Sequence, residues 1–172
     1  HSTWRPSPGS TMSAEHAISI ALVEDDAGTR ERLAAALRRS DRLSLAYLAA
    51  TATEMLDWLQ SNSVDVLLVD LGLPDRSGLE VIRHCRAVSP GTEVMVVTMF
   101  GDEANMMRAF EAGARGYLLK DGTEEDLVEH VMSLHAGGSP MTPIIARQLL
   151  VRLSTAKAAM TRTEATPAAD ID

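Results

Sequence analysis

The sequence predicts an α/β fold: a doubly wound parallel sheet built from five successive βα units, with strand order 2-1-3-4-5. Three observations carry this expectation. Short apolar runs alternate with stretches of helical periodicity, the pattern of a parallel sheet covered by helices on both faces. The run from Val64 to Asp70 is so rich in Val and Leu that it reads as a strand buried on both faces. Four of the five strand-like runs end in a polar functional group, as expected where strands deliver side chains to a ligand-binding sheet edge.

In chain order, residues 17–23 read as the first strand, closed by Glu24, Asp25 and Asp26. Residues 27–40 read as a helix with Leu33, Ala34 and Leu37 on its inner face. Residues 43–49 form the second strand. Residues 53–61 form a helix capped by Thr51 or Thr53, with Met55, Leu56 and Leu59 inward. The third strand covers 64–70. A turn through Pro74 and Gly78 leads to a helix over 79–88, stopped before Pro90 and Gly91. Residues 93–98 are the fourth strand, and residues 102–112 a helix closed by Gly113. Residues 116–119 are the fifth strand, ending at Lys120. Residues 123–136 are a helix with a capping-box-like start from Thr123 to Asp126, stopped by Gly137 and Gly138. A shorter helix over 142–153 has Pro143 at its first position.

The expected organisation is a compact domain over 12–138, a C-terminal helix over 139–154 and a linker over 155–172. That last segment holds Ala, Thr and Pro without apolar periodicity. Met12 reads as a native start and residues 1–11 as a vector-derived remnant.

Composition narrows the function. Aromatics are 3% of the chain, so the core is aliphatic and Met-based. The net charge is −8, which argues against a nucleic-acid-binding module, since such a module needs a basic face for phosphates. Arg38, Arg39 and Arg42 read as a solvated helix end. The single cysteine, Cys85, permits no internal disulfide and reads as a packing residue. There is no run long enough to span a bilayer and no signal-peptide core, so the expectation is a cytoplasmic protein without membrane contact.

Parallel strands place their carboxyl ends on one edge. Strands one, three, four and five are neighbours in the expected order. Their ends then bring Glu24, Asp25 and Asp70 together with Thr98 and Lys120. Carboxylates about 4 Å apart repel by roughly 4 kcal/mol at an effective dielectric near 20. Such a set holds either a proton or a cation. Oxygen-only ligands suit Mg²⁺. With a cation present, Asp70 can attack a phosphoryl group, while Lys120 and Thr98 hold its oxygens. The set points to transfer of a phosphoryl group onto an aspartate.

Val23-Glu-Asp-Asp26, Val69-Asp-Leu-Gly-Leu-Pro74 with Gly78, Val97-Thr98 and Gly116-Tyr-Leu-Leu-Lys120 resemble the response-regulator receiver domain over about residues 17–138. Gly116 to Asp121, the Gly137-Gly-Ser step and the segment from Thr142 to Leu150 resemble the NarL/FixJ-type subgroup, in which a LuxR-type helix-turn-helix domain follows the receiver. The resemblance implies a flavodoxin-like fold and a role in two-component signalling. It implies that Asp70 is the phosphoacceptor, and that Asp25, Asp70 and the Gly72 carbonyl bind Mg²⁺ directly. Glu24 would act on the metal through water, with Asp26 facing solvent. Thr98 and Lys120 would bind the phosphoryl group, and Thr98 with Tyr117 would form the switch.

The implied partners are a sensor histidine kinase, a second copy on phosphorylation, and DNA only through an effector domain outside this chain. The alternative is a stand-alone receiver acting through a protein partner. In neither case is the chain an enzyme beyond catalysing its own phosphorylation and dephosphorylation. An aspartyl-phosphate hydrolase would carry a second Asp where Gly72 stands. A phosphate-binding flavodoxin-like domain would not place three acids after its first strand. Three positions depart from the family pattern: Ser77 where Asp or Asn is usual, Met99 where a small residue is commoner, and Asp121 where many receivers have proline. Met99 is expected to crowd the phosphoryl pocket.

Overall fold

In the computed structural model of the chain, residues 17–121 and 123–165 are described, and the side chains of Thr123, Glu164 and Ala165 lie outside that description. The sequence pattern yields five strands: β1 Ile18–Val23, β2 Leu43–Ala49, β3 Val66–Val69, β4 Glu93–Thr98 and β5 Gly116–Leu119. All pair in parallel, in the order β2-β1-β3-β4-β5. Six helices intervene or follow: α1 Ala27–Arg38, α2 Ala52–Leu59, α3 Gly78–Val88, α4 Glu103–Ala112, α5 Thr123–His135 and α6 Pro143–Ala165. This is the expected flavodoxin-like architecture.

The central strands explain their own composition. All four residues of β3 are fully buried, because alternate side chains enter two different cores. One core packs Leu67 and Val69 against α2, α3 and α4. The other packs Val66 and Leu68 against α1 and α5. β3 is shorter than the apolar run suggested. Asp65, just before β3, keeps backbone bonds to Ser19 and Glu93 and adds a side-chain clip to the start of β1: its carboxylate accepts from the Ser19 N–H at 2.9 Å, and its N–H also meets Ser19 Oγ at 2.9 Å. Cys85 is buried in the first core, as a packing residue should be.

Helix starts follow side-chain chemistry. Thr51 caps α2, accepting from the Glu54 N–H at 3.1 Å, while Glu54 accepts from the Ala50 N–H at 3.2 Å. This resembles a capping box, with the Glu54 side chain reaching the N–H one residue before the cap. Ser77, unusual at its position, caps α3 by accepting from the Leu79 N–H at 3.1 Å. Asp102 caps α4 and Gly113 closes it at φ 127°, a conformation that favours glycine. The expected capping box at Thr123 rests on a side chain outside the described residues.

A second device fixes α2. The Asp75 carboxylate, in the loop after β3, accepts from the Ala52 N–H at 2.9 Å, the Thr53 N–H at 2.8 Å and the Thr53 hydroxyl at 2.6 Å. The loop carrying the strand-end acid of β3 is thereby tied to the neighbouring helix. Its other anchor is Gly78, where an added Cβ would lie 2.2 Å from the Asp70 carbonyl oxygen.

The C-terminal segment differs from expectation. Residues 155–165, expected as linker, continue α6 as helix, and residues 166–172 lie outside the described residues. Loss of apolar periodicity is not loss of helix: no Gly or Pro interrupts the chain between Pro143 and Pro167, and Ala156 to Ala159 are strong helix formers. The start of α6 belongs to the domain body. Met141 bridges Tyr117 in parallel, extending the sheet edge beyond β5. The Tyr117 N–H donates to the Pro140 carbonyl at 2.9 Å, and the Leu119 N–H donates to Thr142 Oγ1 at 2.9 Å. Ile145 is wholly buried in the first core.

Two stability predictions follow from these contacts. Ile145→Ala should cost about 2–5 kcal/mol in urea unfolding, the loss for truncating a fully buried Ile. A loss within 0.5 kcal/mol would show that α6 is not part of the core. For Asp75, hydrogen bonding, first from the Thr53 hydroxyl, holds its carboxyl well below the ordinary carboxylate range. A carboxyl depressed in the fold stabilises above its unfolded value, and that contribution fades as pH falls through the folded value. Asp75→Asn should therefore lower the melting temperature near neutral pH, and the gap from the parent should narrow as the parent is titrated into acid.

Candidate functional site

The carboxyl ends of β1, β3, β4 and β5 converge as the topology requires. Glu24 and Asp25 follow β1, Asp70 follows β3, Thr98 ends β4 and Lys120 follows β5. Glu24, Asp70 and Thr98 are buried, at 1%, 5% and 0% exposure, while Asp25 is exposed. Lys120 reaches between the two buried acids. Its Nζ lies 2.7 Å from Glu24 Oε1 and 2.9 Å from Asp70 Oδ2. Oxygen atoms of Glu24, Asp25 and Asp70 lie within 4.8 Å of one another.

Backbone contacts set these positions. The Asp26 N–H donates to Glu24 Oε2 at 3.0 Å, and the Gly72 N–H donates to Asp70 Oδ1 at 3.3 Å. The Arg30 guanidinium donates to the Glu24 carbonyl at 2.9 Å and the Asp25 carbonyl at 3.3 Å, pinning the acidic loop. Asp26 is exposed, as expected, and also caps α1 by accepting from the Thr29 N–H at 2.8 Å. That backbone bond, with the Thr29 hydroxyl, lowers its carboxyl.

Electrostatics are those of a crowded acid site. Burial pushes the Glu24 carboxyl up, against the Lys120 hydrogen bond that pulls it down. Burial alone would lower Lys120, but Glu24 and Asp70 outweigh it and hold the ammonium above its ordinary value. With all four groups ionised, three carboxylates and one ammonium leave two negative charges. A divalent cation balances that excess, and the all-oxygen donor set fits Mg²⁺.

The Thr98 hydroxyl accepts from the Phe100 N–H at 3.3 Å. Tyr117 is fully buried, and its hydroxyl donates to the Phe100 carbonyl. Its ring meets that of Phe110 edge-on, with centroids 5.9 Å apart. Burial pushes the phenol far up, so it is a permanent donor at physiological pH. Met99 is 77% exposed and lines a cavity of about 340 Å³ with Leu119, Lys120, Asp121 and Thr142. Phe100, half exposed, lies over Gly72: a Cβ there would lie 2.6 Å from its ring. Sequence reading missed Phe100 and Arg30. Neither sits in a strand-end motif, and their roles exist only once two loops face each other.

A five-stranded parallel sheet with a cluster of three carboxylates, a buried hydroxyl and a lysine at one edge defines a flavodoxin-like module with a receiver-type site. The chain belongs to the response regulator receiver domain family, whose model matches residues 20–132. The transcriptional regulatory protein LnrK of Bacillus subtilis is 32% identical over 133 residues, covering 77% of this chain and 60% of LnrK. DesR of the same organism is 27% identical over 132 residues, covering 77% of this chain and 65% of DesR. The chain thus spans about six-tenths of the length of these relatives. A LuxR-family two-component response regulator from Aurantimonas superposes with TM-score 0.72 at 30% identity, covering 80% of this chain and 98% of that one. The receiver domain of a NarL-type regulator from Mycobacterium tuberculosis superposes with TM-score 0.66 at 26% identity, covering 70% and 97%. Among the described residues, no helix is long and apolar enough to cross a membrane.

The ion triad yields a stability prediction. Lys120→Met leaves two buried carboxylates without their partner. In metal-free buffer it should destabilise the fold by about 3–5 kcal/mol, the cost of breaking a buried pair from one side. Urea unfolding in a chelating buffer measures it, and a loss below about 1 kcal/mol would show that the acids do not need Lys120.

Proposed function

We propose that this domain accepts a phosphoryl group on Asp70 from a sensor histidine kinase, with Mg²⁺ bound, and so switches a transcriptional output. The observation that carries the reading is the placement of the Lys120 ammonium between Glu24 and Asp70, beside exposed Asp25. A bound Mg²⁺ would be held by Asp25, Asp70 and the Gly72 carbonyl, with Glu24 acting through water. It would supply charge neutralisation for the incoming phosphoryl oxygens.

This chain's own residues do the rest. Asp70 Oδ1 is engaged by the Gly72 N–H and Oδ2 by Lys120. Attack by a carboxylate oxygen forms a P–O bond to Asp70 and breaks the bond from phosphorus to the donor. Lys120 and the Thr98 hydroxyl then hold phosphoryl oxygens. Because Tyr117 and Thr98 both bond to Phe100, a shift of Thr98 toward the phosphoryl group alters the surface of α4, β5 and α5. The names of the relatives support a transcriptional output; the resemblance to the NarL/FixJ-type subgroup adds a helix-turn-helix domain outside this chain and dimerisation on phosphorylation. The net charge of −8 supports DNA contact only through such a domain. A cytoplasmic location goes with this reading. The alternative is a receiver acting directly on a protein partner.

Intact-mass measurement with a small phosphodonor tests the acceptor. With Mg²⁺ the parent should gain one phosphoryl mass, and Asp70→Asn should gain none. Equal labelling of both removes the assignment. Asp25→Ala should weaken Mg²⁺ binding by on the order of tenfold, about 1.4 kcal/mol, and an unchanged affinity would remove Asp25 from the ligand set.

A further inference from the structure

The loop from Met99 to Gly101 is gripped from two sides. On the inner side, the Phe100 N–H donates to Thr98 Oγ1 at 3.3 Å and the Phe100 carbonyl accepts from the Tyr117 hydroxyl. On the outer side stands α6. Gln148 Nε2 donates to the Gly101 carbonyl at 2.9 Å. A Cβ on Gly101 would lie 3.2 Å from the Leu119 side chain and 3.9 Å from Ile145 Cδ1, so the loop packs against both β5 and α6. Farther along the helix, Arg152 pairs with Glu103 in the first turn of α4 at 3.8 Å.

Gln148 is only partly satisfied where it stands. Its Oε1 is buried and has no hydrogen-bond partner among the described residues. A polar atom enclosed this way is costly, and the one bond the side chain makes that offsets it is the donation to Gly101. That donation lands on the carbonyl directly after Phe100, the residue joining Thr98 to Tyr117. The adjacent peptides of one short loop therefore carry bonds to a phosphoryl-site hydroxyl, to the buried tyrosine and to α6.

We infer that Gln148 is a positioning residue of the phosphoryl site, which locks α6 onto the Gly101 carbonyl and so couples the docking of α6 to occupancy at Asp70. The inference rests on the phosphoryl-acceptor reading of Asp70. Tyr117 lies inward in this structure, the arrangement in which its hydroxyl holds Phe100. The Gln148 bond closes on the same loop, so it favours that arrangement over one in which the loop swings out. Coupling between two sites is reciprocal: if docked α6 strengthens binding at Asp70, a ligand at Asp70 strengthens docking by the same factor.

The experiment compares the parent with Gln148→Glu and Gln148→Met, which keep the length of the side chain but cannot donate a hydrogen bond as a carboxylate or thioether. Beryllofluoride with Mg²⁺ serves as the phosphoryl mimic. Two quantities are read: its affinity, and amide hydrogen exchange over residues 144–152. Both variants should bind the mimic about fivefold more weakly, the effect of one hydrogen bond. In the parent the mimic should slow exchange over 144–152 by a similar factor, and in the variants it should not. Gln148→Lys, which still donates, should recover part of the affinity. A merely structural role for Gln148 would leave affinity unchanged and would not distinguish Lys from Met. Equal affinity in parent and variants, or exchange over 144–152 that ignores the mimic, overturns the inference. If the mimic does not bind the parent, the reading of Asp70 fails instead, and the latch is judged in the free protein. There Gln148→Met should speed exchange of the Phe100 amide, and unchanged exchange would overturn the latch.

Discussion

One constraint governs the architecture: three carboxylates share a strand edge, and a single ammonium stands among them. Lys120 lies within 3 Å of both buried acids. Two buried anions at this spacing would be prohibitive without it. The pairing reaches from the strand after which the acids begin, across β3 and β4, to the end of β5. It can form only if β5 is two places from β3 and if every strand runs in the same direction. The strand order and the charge balance are thus the same requirement in two forms. Three carboxylates outnumber the one ammonium, so the edge could also hold a cation.

The loops around that edge are built to hold an unfavourable arrangement still. Arg30 holds the acidic loop by its carbonyls and not by its carboxylates. Gly78 lets the backbone at Asp70 and Leu71 approach α3 more closely than any side chain would allow. Asp75 fastens the same loop to α2. Gly72 leaves room for the Phe100 ring, so the loops after β3 and β4 touch over the site. Each device spends local conformational freedom to fix a carboxylate whose position is electrostatically costly. The sheet itself is rigid, since β3 is buried on both faces and its residues divide between two cores.

Much of this was legible in the sequence. The alternation of apolar runs and helical periodicity fixed the architecture, and the strand-end residues Glu24, Asp25, Asp70, Thr98 and Lys120 could be placed at one edge because parallel strands share a direction. Tyr117 was named through resemblance, and its burial and hydroxyl bond required coordinates. What could not be read were contacts between loops distant in sequence: Arg30 on the acidic loop, Asp75 on α2 and Phe100 over Gly72. No periodicity encodes them. The place of Met99, exposed yet lining the cavity beside Lys120, was hidden for the same reason. Adjacent loop residues can face different ways, and only the coordinates show that Phe100 lies against Gly72. The linker expected after Ser154 failed on a different principle. Apolar periodicity reports burial, whereas helix persists wherever propensity is good and no breaker intervenes.

That last distinction bears on where the domain ends. The family match closes at residue 132, yet residues 139–149 supply an added edge bridge at Met141 and a fully buried core residue at Ile145. Beyond Leu149 the helix is exposed, with Leu150, Val151 and Leu153 each more than half in solvent. α6 therefore has two physically different halves. The first is held by the body and touches the loop that carries Phe100. The second projects from it as one continuous helix. A rigid helix transmits displacement along its length in a way that a flexible linker cannot. Motion at the β4–α4 loop reaches the far end of α6 only if the two halves remain a single helix, and the absence of Gly or Pro between Pro143 and Pro167 keeps them so.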